Sequence, residues 1–396
     1  MHADEILHRF LRDECPWMHA KRRQCLTRVT MAAQRGGLGV VKMAKHLQSS
    51  TALRYDIKCV DRLLSNSNLA AERREVYGSL ARRVIGSRSR IGILIDWSEL
   101  RDDGSSQLLR ATTTVKGRAF TIYEEVHPQN RLGALNVHKQ FLKNLKAVLP
   151  NHCDPIIITD AGFRGTFFKA VSQQGWSWIG RIRNVDTVCP IKRQAWAGCK
   201  TLYAKAKTKA LDLGNFLYTK AQELQCRLIV IKAKAKKRHK HTAFGKPSQS
   251  SHSKKCRAAQ VEPWLLAVSP CASALSAQEV VQLYAGRMQI EQTFRDLKNP
   301  NFGMGLRTSQ TRCARRLAAL LLIAVLLTYV LWIVGLTMRA VDADIAYGSR
   351  RKRESTLSVL SLAAYWLNRC TLLWIAVGQL DDAIAELTNL IPDYEK

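Results

Sequence analysis

The sequence predicts an α/β fold with a mixed sheet, flanked by helical regions at both ends. Three observations carry this. Two short β-branched runs, Ile91-Gly92-Ile93-Leu94-Ile95 and Pro155-Ile156-Ile157-Ile158-Thr159, have the length and apolarity of buried strands. Segments of helical periodicity alternate with such runs through the middle of the chain. Residues 1–85 read as helical, with no alternating runs, and residues 356–396 read as helical too.

In chain order, the first 85 residues are rich in Arg and Lys and poor in aromatics. Apolar residues recur at helical spacing from Tyr55 to Leu64 and from Leu69 to Val84, broken at Ser65-Asn66-Ser67-Asn68. This suits either a helical DNA-binding region or a helical cap with a solvated basic face. The Ile91–Ile95 strand ends in Asp96. Leu108–Val115 and Ala119–Val126 flank Lys116-Gly117-Arg118, which reads as a hairpin. Asn136–Leu149 is helical. The Pro155–Thr159 strand ends in Asp160, a helix covers Phe163–Gln174, and Trp176–Ile182 is a further strand.

From Lys192 to Gln260 there are 18 Lys and Arg against two acids, Asp212 and Glu223. Apolar alternation around Leu211–Tyr218 and a strand at Cys226–Ile231 favour a folded, strand-rich basic insertion over a disordered linker. Lys232–His241 is a charge run, and Ser248–Ser253 a polar loop. Trp264–Val268 is a strand. A helix then opens at Ser276 or Ala277 and runs to Lys298, where Asn299-Pro300 stops it. The expected organisation is a helical DNA-binding region at 1–85, core at 86–185, basic insertion at 186–262, core again at 263–300, and a helical region at 301–396.

The chain has 396 residues, 62 Lys+Arg against 31 Asp+Glu, and a net charge of +31. A solvated surface needs no such imbalance, so the expected partner is a polyanion, nucleic acid before anionic membrane. Leu317–Met338 holds no charged residue and is long enough to span a bilayer at about 20 residues. The alternative is a helix buried on all sides. The eleven cysteines show no C-x-x-C pair, and the start of the chain is acidic where a secretory leader would be basic. Reduced thiols in a cytoplasm are expected, and a zinc finger is not. His239 and His241 read as part of the basic run rather than as metal ligands.

Two aspartates after apolar strands, Asp96 and Asp160, stand where ligands gather in open α/β sheets, although such residues are also ordinary turn formers. The late helix adds Tyr284, Arg287, Glu291 and Lys298, at offsets of 3, 7 and 14. On one continuous helix these fall within an arc of about 60°. That stripe is either a solvated face or a phosphodiester site, with the acid on a divalent metal and the cations and phenol on phosphate oxygens. Three separate carboxylates can share two Mg²⁺ ions about 3.5–4 Å apart for in-line displacement.

On these residues the chain resembles the DDE transposases of bacterial insertion sequences. Asp96, Asp160 and Glu291 look like the DDE triad. Tyr284-x-x-Arg287-x-x-x-Glu291-x-x-x-x-x-x-Lys298 matches the YREK signature of the insertion-sequence-four family without a gap. "LIDWSELR", "DAGFRG", "EPWLLAVS" and "YAGRMQIEQTFRDLKNPNFGMGLR" are similar to its tetracycline-transposon branch. The resemblance spans almost the whole chain.

It implies an RNase H-like core, with the basic region as the family's strand insertion. It implies cut-and-paste transposition through nicking, hairpin formation, hairpin opening and strand transfer. The triad would be catalytic and would bind two Mg²⁺, replaceable by Mn²⁺. Tyr284, Arg287 and Lys298 would hold DNA phosphates. Trp264, on the strand before the signature helix, would receive a flipped base; without the resemblance it reads as a core aromatic. The partners would be transposon-end and target DNA, bound by a homodimer in a synaptic complex, with no membrane. A plain RNase H-like nuclease, a non-catalytic DNA-binding protein and a membrane-anchored basic protein are the rival readings.

Overall fold

A computed structural model describes residues 2–183, 185–192, 195–232, 246–251, 253–254, 262–301, 303–342, 357–369 and 377–394. The chain divides into two units. The first holds Met1–Ala134, Lys143–Cys153 and Met288–Lys396; the second holds Leu135–Leu142 and Asp154–Arg287. Most of the Lys232–His241 charge run, including His239 and His241, lies outside the described residues.

The first unit opens with five helices: α1 (Ala3–Glu14), α2 (Ala20–Gly36), α3 (Val40–Lys45), α4 (Leu53–Leu64) and α5 (Ser67–Ile85). In α1 the residues at helical spacing, Ile6, Leu7, Phe10 and Leu11, are the buried ones. The break between α4 and α5 is narrower than the four-residue polar run predicts. Asn66 caps α5 by accepting from the Leu69 amide at 2.9 Å, so Ser67 and Asn68 join the helix.

Three antiparallel strands follow, β1 (Gly92–Glu99), β2 (Ser106–Val115) and β3 (Arg118–Pro128), with β2 in the middle. Lys116 and Gly117 make the tight turn, and Gly117 has a φ of 80° that only glycine adopts readily. One expectation is corrected here. Asp96 does not end its strand: pairing with β2 continues through Glu99 opposite Gln107. Trp97, Ser98 and Glu99, none of them fully buried, are held in the strand by the backbone ladder.

The second unit carries β4 (Ile156–Thr159), α7 (Gly165–Ser172), β5 (Ser177–Ile182), β6 (Thr187–Pro190), β7 (Ala197–Gly198), β8 (Leu211–Tyr218), β9 (Leu224–Ile231) and β10 (Trp264–Val268). Helix α6 (Leu135–Val148) contains a point of division between the units. The strand order is β4-β5-β10-β9-β8-β6-β7. β4 and β5 are parallel and the remaining pairs antiparallel. The expected basic insertion therefore supplies β6 to β9, as folded strands. Helix α7 is shorter than the predicted Phe163–Gln174, because Asp160 and Gly162 form a turn ahead of it. Its rings pack on the sheet, with Phe168 stacked on Trp178 at 4.5 Å.

The expected single helix from Ala277 to Lys298 is two: α8 (Ala277–Gly286) and α9 (Met288–Lys298). Ser276 and Glu279 form a capping box at the start of α8. At its end the Arg287 amide bonds the Tyr284 carbonyl, three residues back, which tightens the turn after Gly286, a poor helix former. The point of division between the units falls here too. A single stripe of about 60° needs one continuous helix, which the turn at Arg287 interrupts. The four signature residues instead divide into Tyr284 and Arg287 on one unit and Glu291 and Lys298 on the other.

The apolar segment is α10 (Ala314–Ala340), followed by α11 (Val359–Arg369) and α12 (Val377–Asn389). α10 is long and apolar enough to cross a membrane, with a mean hydropathy of 2.8 in its most apolar window, but 89% of that window is buried inside the protein. α1, α2, α4, α5, α11, α12 and β3 pack around it. It is the core of the first unit, and its apolarity on every side follows from cover on every side. Gly335 lets α11 come close: a Cβ there would collide with the Val359 carbonyl.

Candidate active site

In the first unit the site is built on β1. Asp96 pairs across the ladder with Arg110 of β2, and Arg110 with Glu124 of β3. Directly opposed residues share a sheet face, so these three side chains form one cross-strand row. Asp96 is half-buried and accepts from the Trp97 amide at 2.8 Å. Ser98, two residues on, lies on the same face.

Helix α9 packs on β1 and β3 over that face. Arg110 reaches it, donating to Thr293 Oγ1 at 3.0 Å and lying 5.2 Å from the Phe294 ring centre. Lys298 reaches down from the end of the helix and donates to Ser98 Oγ at 2.5 Å. Glu291 and Lys298 are seven residues apart and share one stripe of α9. Asp96, Glu291 and Lys298 thus belong to one unit, with Lys298 docked on the strand that bears Asp96. Burial, with help from Arg307 and Arg110, pushes the Lys298 ammonium down to about 8, while Glu99 and Glu291 pull the other way.

In the second unit Asp160 follows β4. Its Oδ1 accepts from the Gly162 amide at 2.8 Å, the geometry of an Asx turn. Tyr284 of α8 is buried, and its ring meets Trp264 of β10 edge-on at 5.0 Å. Burial raises the Tyr284 phenol above its ordinary value. Arg287 and Arg181 hold it down, Arg287 also through a hydrogen bond, and Asp160 pushes it up. Asp160, Trp264, Tyr284 and Arg287 therefore belong to one unit. Arg181 also pairs with Glu262 at 3.2 Å, and Tyr203 donates to the same carboxylate at 3.1 Å.

Sequence reasoning missed Ser98, Arg110, Glu124 and Thr293. Ser98 was accessible, as the second residue after Asp96 on a strand of period two. The Arg110–Glu124 row needed the register of two strand pairs.

The donor chemistry suits a hard divalent cation, since the candidate ligands are carboxylates with no thiolate or imidazole among them. Among the described residues, no group of three or more His, Cys, Asp or Glu is gathered closely enough to enclose an ion. An ion bound by one or two carboxylates, with waters and substrate phosphates completing its shell, is the habit of Mg²⁺. Asp96 and Glu291 would be its ligands in the first unit.

A family model described as "Transposase DDE domain" matches residues 88–331, well over half of the chain. The matched span runs from just before β1 into α10 and contains all seven candidate residues. No curated protein matches the chain.

Proposed function

The chain belongs to the DDE transposases, and on that premise we propose that it moves a bacterial insertion sequence by cut and paste, through hairpin intermediates at the element ends. As a member it is a metal-dependent enzyme of phosphodiester hydrolysis and transesterification, with an RNase H-like core, and it acts on transposon-end and target DNA. The finer reading rests on the YREK spacing. It places the chain in the insertion-sequence-four family, tetracycline-transposon-like branch, with two Mg²⁺ ions and a homodimer holding both ends. The enzyme would work in the bacterial cytoplasm, on nucleoid DNA.

The observation that supports the reading is the docking of Lys298, seven residues after Glu291 on α9, on Ser98 of the strand that bears Asp96. Asp96, Asp160 and Glu291 are assigned as the metal-binding triad. Bound divalent ions would activate the attacking oxygen and stabilise the leaving one. Water nicks one strand at each end. The 3′-OH so freed attacks the opposite strand and closes a hairpin; water reopens it, and the 3′-OH joins target DNA. Lys298 and Arg287 hold phosphates near the scissile bond by charge-assisted hydrogen bonds, and Tyr284 by its hydroxyl. Trp264 receives the base that the hairpin bend extrudes, and its edge-on contact with Tyr284 fixes the ring that would stack on that base. The helices before β1 and the basic insertion supply salt-sensitive, sequence-independent affinity.

The test uses purified protein, a labelled transposon-end duplex, and Mg²⁺ or EDTA, beside Glu291→Ala. A Mg²⁺-dependent nick that converts to a hairpin, absent in the variant, is the expected result. Nicks that never become hairpins would favour a plain nuclease.

A further inference from the structure

Arg110 and Glu124 form an ion pair that the site as described does not use. Arg110 is 2% exposed and Glu124 is fully buried. Glu124 Oε2 accepts from Arg110 Nε at 2.7 Å and pairs with its second terminal nitrogen at 2.6 Å. Glu124 Oε1 accepts from the Tyr77 hydroxyl of α5 at 2.8 Å. The third guanidinium nitrogen goes to Thr293 of α9. The Thr293 hydroxyl in turn donates to the Ile290 carbonyl at 2.7 Å, the turn of helix that holds Glu291.

A buried pair of this kind is weak evidence for stability. Apolar residues of similar volume often serve a fold as well or better. What this pair does that apolar residues could not is geometric. The planar guanidinium offers donors in a rigid fork, so fixing two nitrogens on Glu124 fixes the direction of the third. That third nitrogen pins α9 two residues from Glu291. The same side chain stands directly across the ladder from Asp96, on the same face.

We propose that Arg110, oriented by Glu124 and Tyr77, is a positioning residue that sets the spacing between the carboxylates of Asp96 and Glu291 for a divalent metal. It touches neither metal nor DNA and acts through the strand and the helix it joins. The proposal rests on the assignment of Asp96 and Glu291 as metal ligands. Outer partners that orient metal ligands are worth about 10–100-fold in metal affinity or activity when removed.

The cleanest variant is Thr293→Val, which removes the hydroxyl that Arg110 holds and keeps the ion pair. Thr293→Ser keeps the hydroxyl. Arg110→Met with Glu124→Leu and Tyr77→Phe replaces the whole buried group by apolar residues, so that no hydroxyl is left without its acceptor. Asp96→Asn and Glu291→Gln test the underlying assignment. Three readouts are taken on the full chain: Mn²⁺ binding by electron paramagnetic resonance, the Mg²⁺ concentration for half-maximal cleavage of end DNA, and melting temperature without metal.

The expected result is that Thr293→Val and the triple variant require about tenfold more of either metal, remain folded well above the assay temperature, and reach parental cleavage at high Mg²⁺. Thr293→Ser behaves as the parent. If the triple variant fails to fold, the Val and Ser pair decides. Parental metal dependence in Thr293→Val, with Asp96→Asn and Glu291→Gln still losing metal, overturns the positioning role and leaves the ligands standing. A loss of affinity seen only where the variant has begun to unfold also overturns it. Unchanged metal dependence in both carboxylate variants overturns the ligand assignment, and the proposal with it.

Discussion

Lys298 donates to Ser98 across the gap between helix α9 and strand β1, at 2.5 Å. The ammonium is drawn into the protein to make this contact, and burial beside Arg307 and Arg110 brings its pKa down to about 8. Binding of end DNA should therefore weaken as pH rises through about 8, with loss of the cation, and Lys298→Arg should remove that step. Stability moves the other way. The folded pKa lies below the ordinary lysine value of 10.5, so the unfolded chain binds more protons between them, and stability contributed by this group rises with pH across that window. Urea unfolding of the parent and of Lys298→Met at pH 7, 8 and 9 checks the sign: their difference should shrink or shift in favour of the parent as pH rises.

Asp96→Asn, Asp160→Asn and Glu291→Gln should each lower cleavage by on the order of a thousandfold or more, because residues that act as a unit fail as a unit. End-DNA affinity in EDTA should stay at the parental level. Gel shift and single-turnover cleavage on the same preparations measure both. A variant that loses binding together with cleavage would mark its carboxylate as structural.

Trp264→Ala should spare the first nick and impair hairpin closure. Stacking of a base on an aromatic ring is worth about 1–3 kcal/mol, so hairpin closure should slow by roughly tenfold or more. Quantifying nicked and hairpin products from one time course separates the steps. Equal loss at both would return Trp264 to the role of a core aromatic on β10.

Gly335→Ala should destabilise the first unit. Alanine would favour the helix by about 1 kcal/mol, but its methyl group would meet the Val359 backbone. Overpacking of this kind costs about 1–3 kcal/mol. Thermal unfolding should show a net fall in melting temperature, and a rise would mean that α11 yields freely.

The strands β4 and β10 were legible because each is an almost wholly apolar run, and a run of that kind declares burial without any partner being known. The far half of β1 was not. Trp97-Ser98-Glu99 lacks the apolar alternation that marks a strand, and it is held by its ladder with β2. The break at Arg287 escaped because periodicity counts residues and does not sense where a helix tightens. The row of Asp96, Arg110 and Glu124 escaped for a third reason. It depends on the register of a hairpin with an irregularity between Ala111 and Thr112, and a shift of one residue there would turn the partner side chains to the other face. Cys25 and Cys59 show the same limit: 34 positions apart in the chain, their sulfurs lie 3.6 Å from each other.

The cover around α10 is assembled from both directions of the chain. α1, α2, α4, α5 and β3 precede it, and α11 and α12 follow. During synthesis the earlier elements have left the ribosome before this segment emerges, ready to receive most of its surface. The later ones have not. A product ending at a premature stop before Val359 would present an uncovered apolar flank of bilayer-spanning length, and would be drawn to lipid or into aggregates. Truncated messages of a mobile element would then yield chains that are cleared by the cell rather than partial enzymes that compete for its DNA ends.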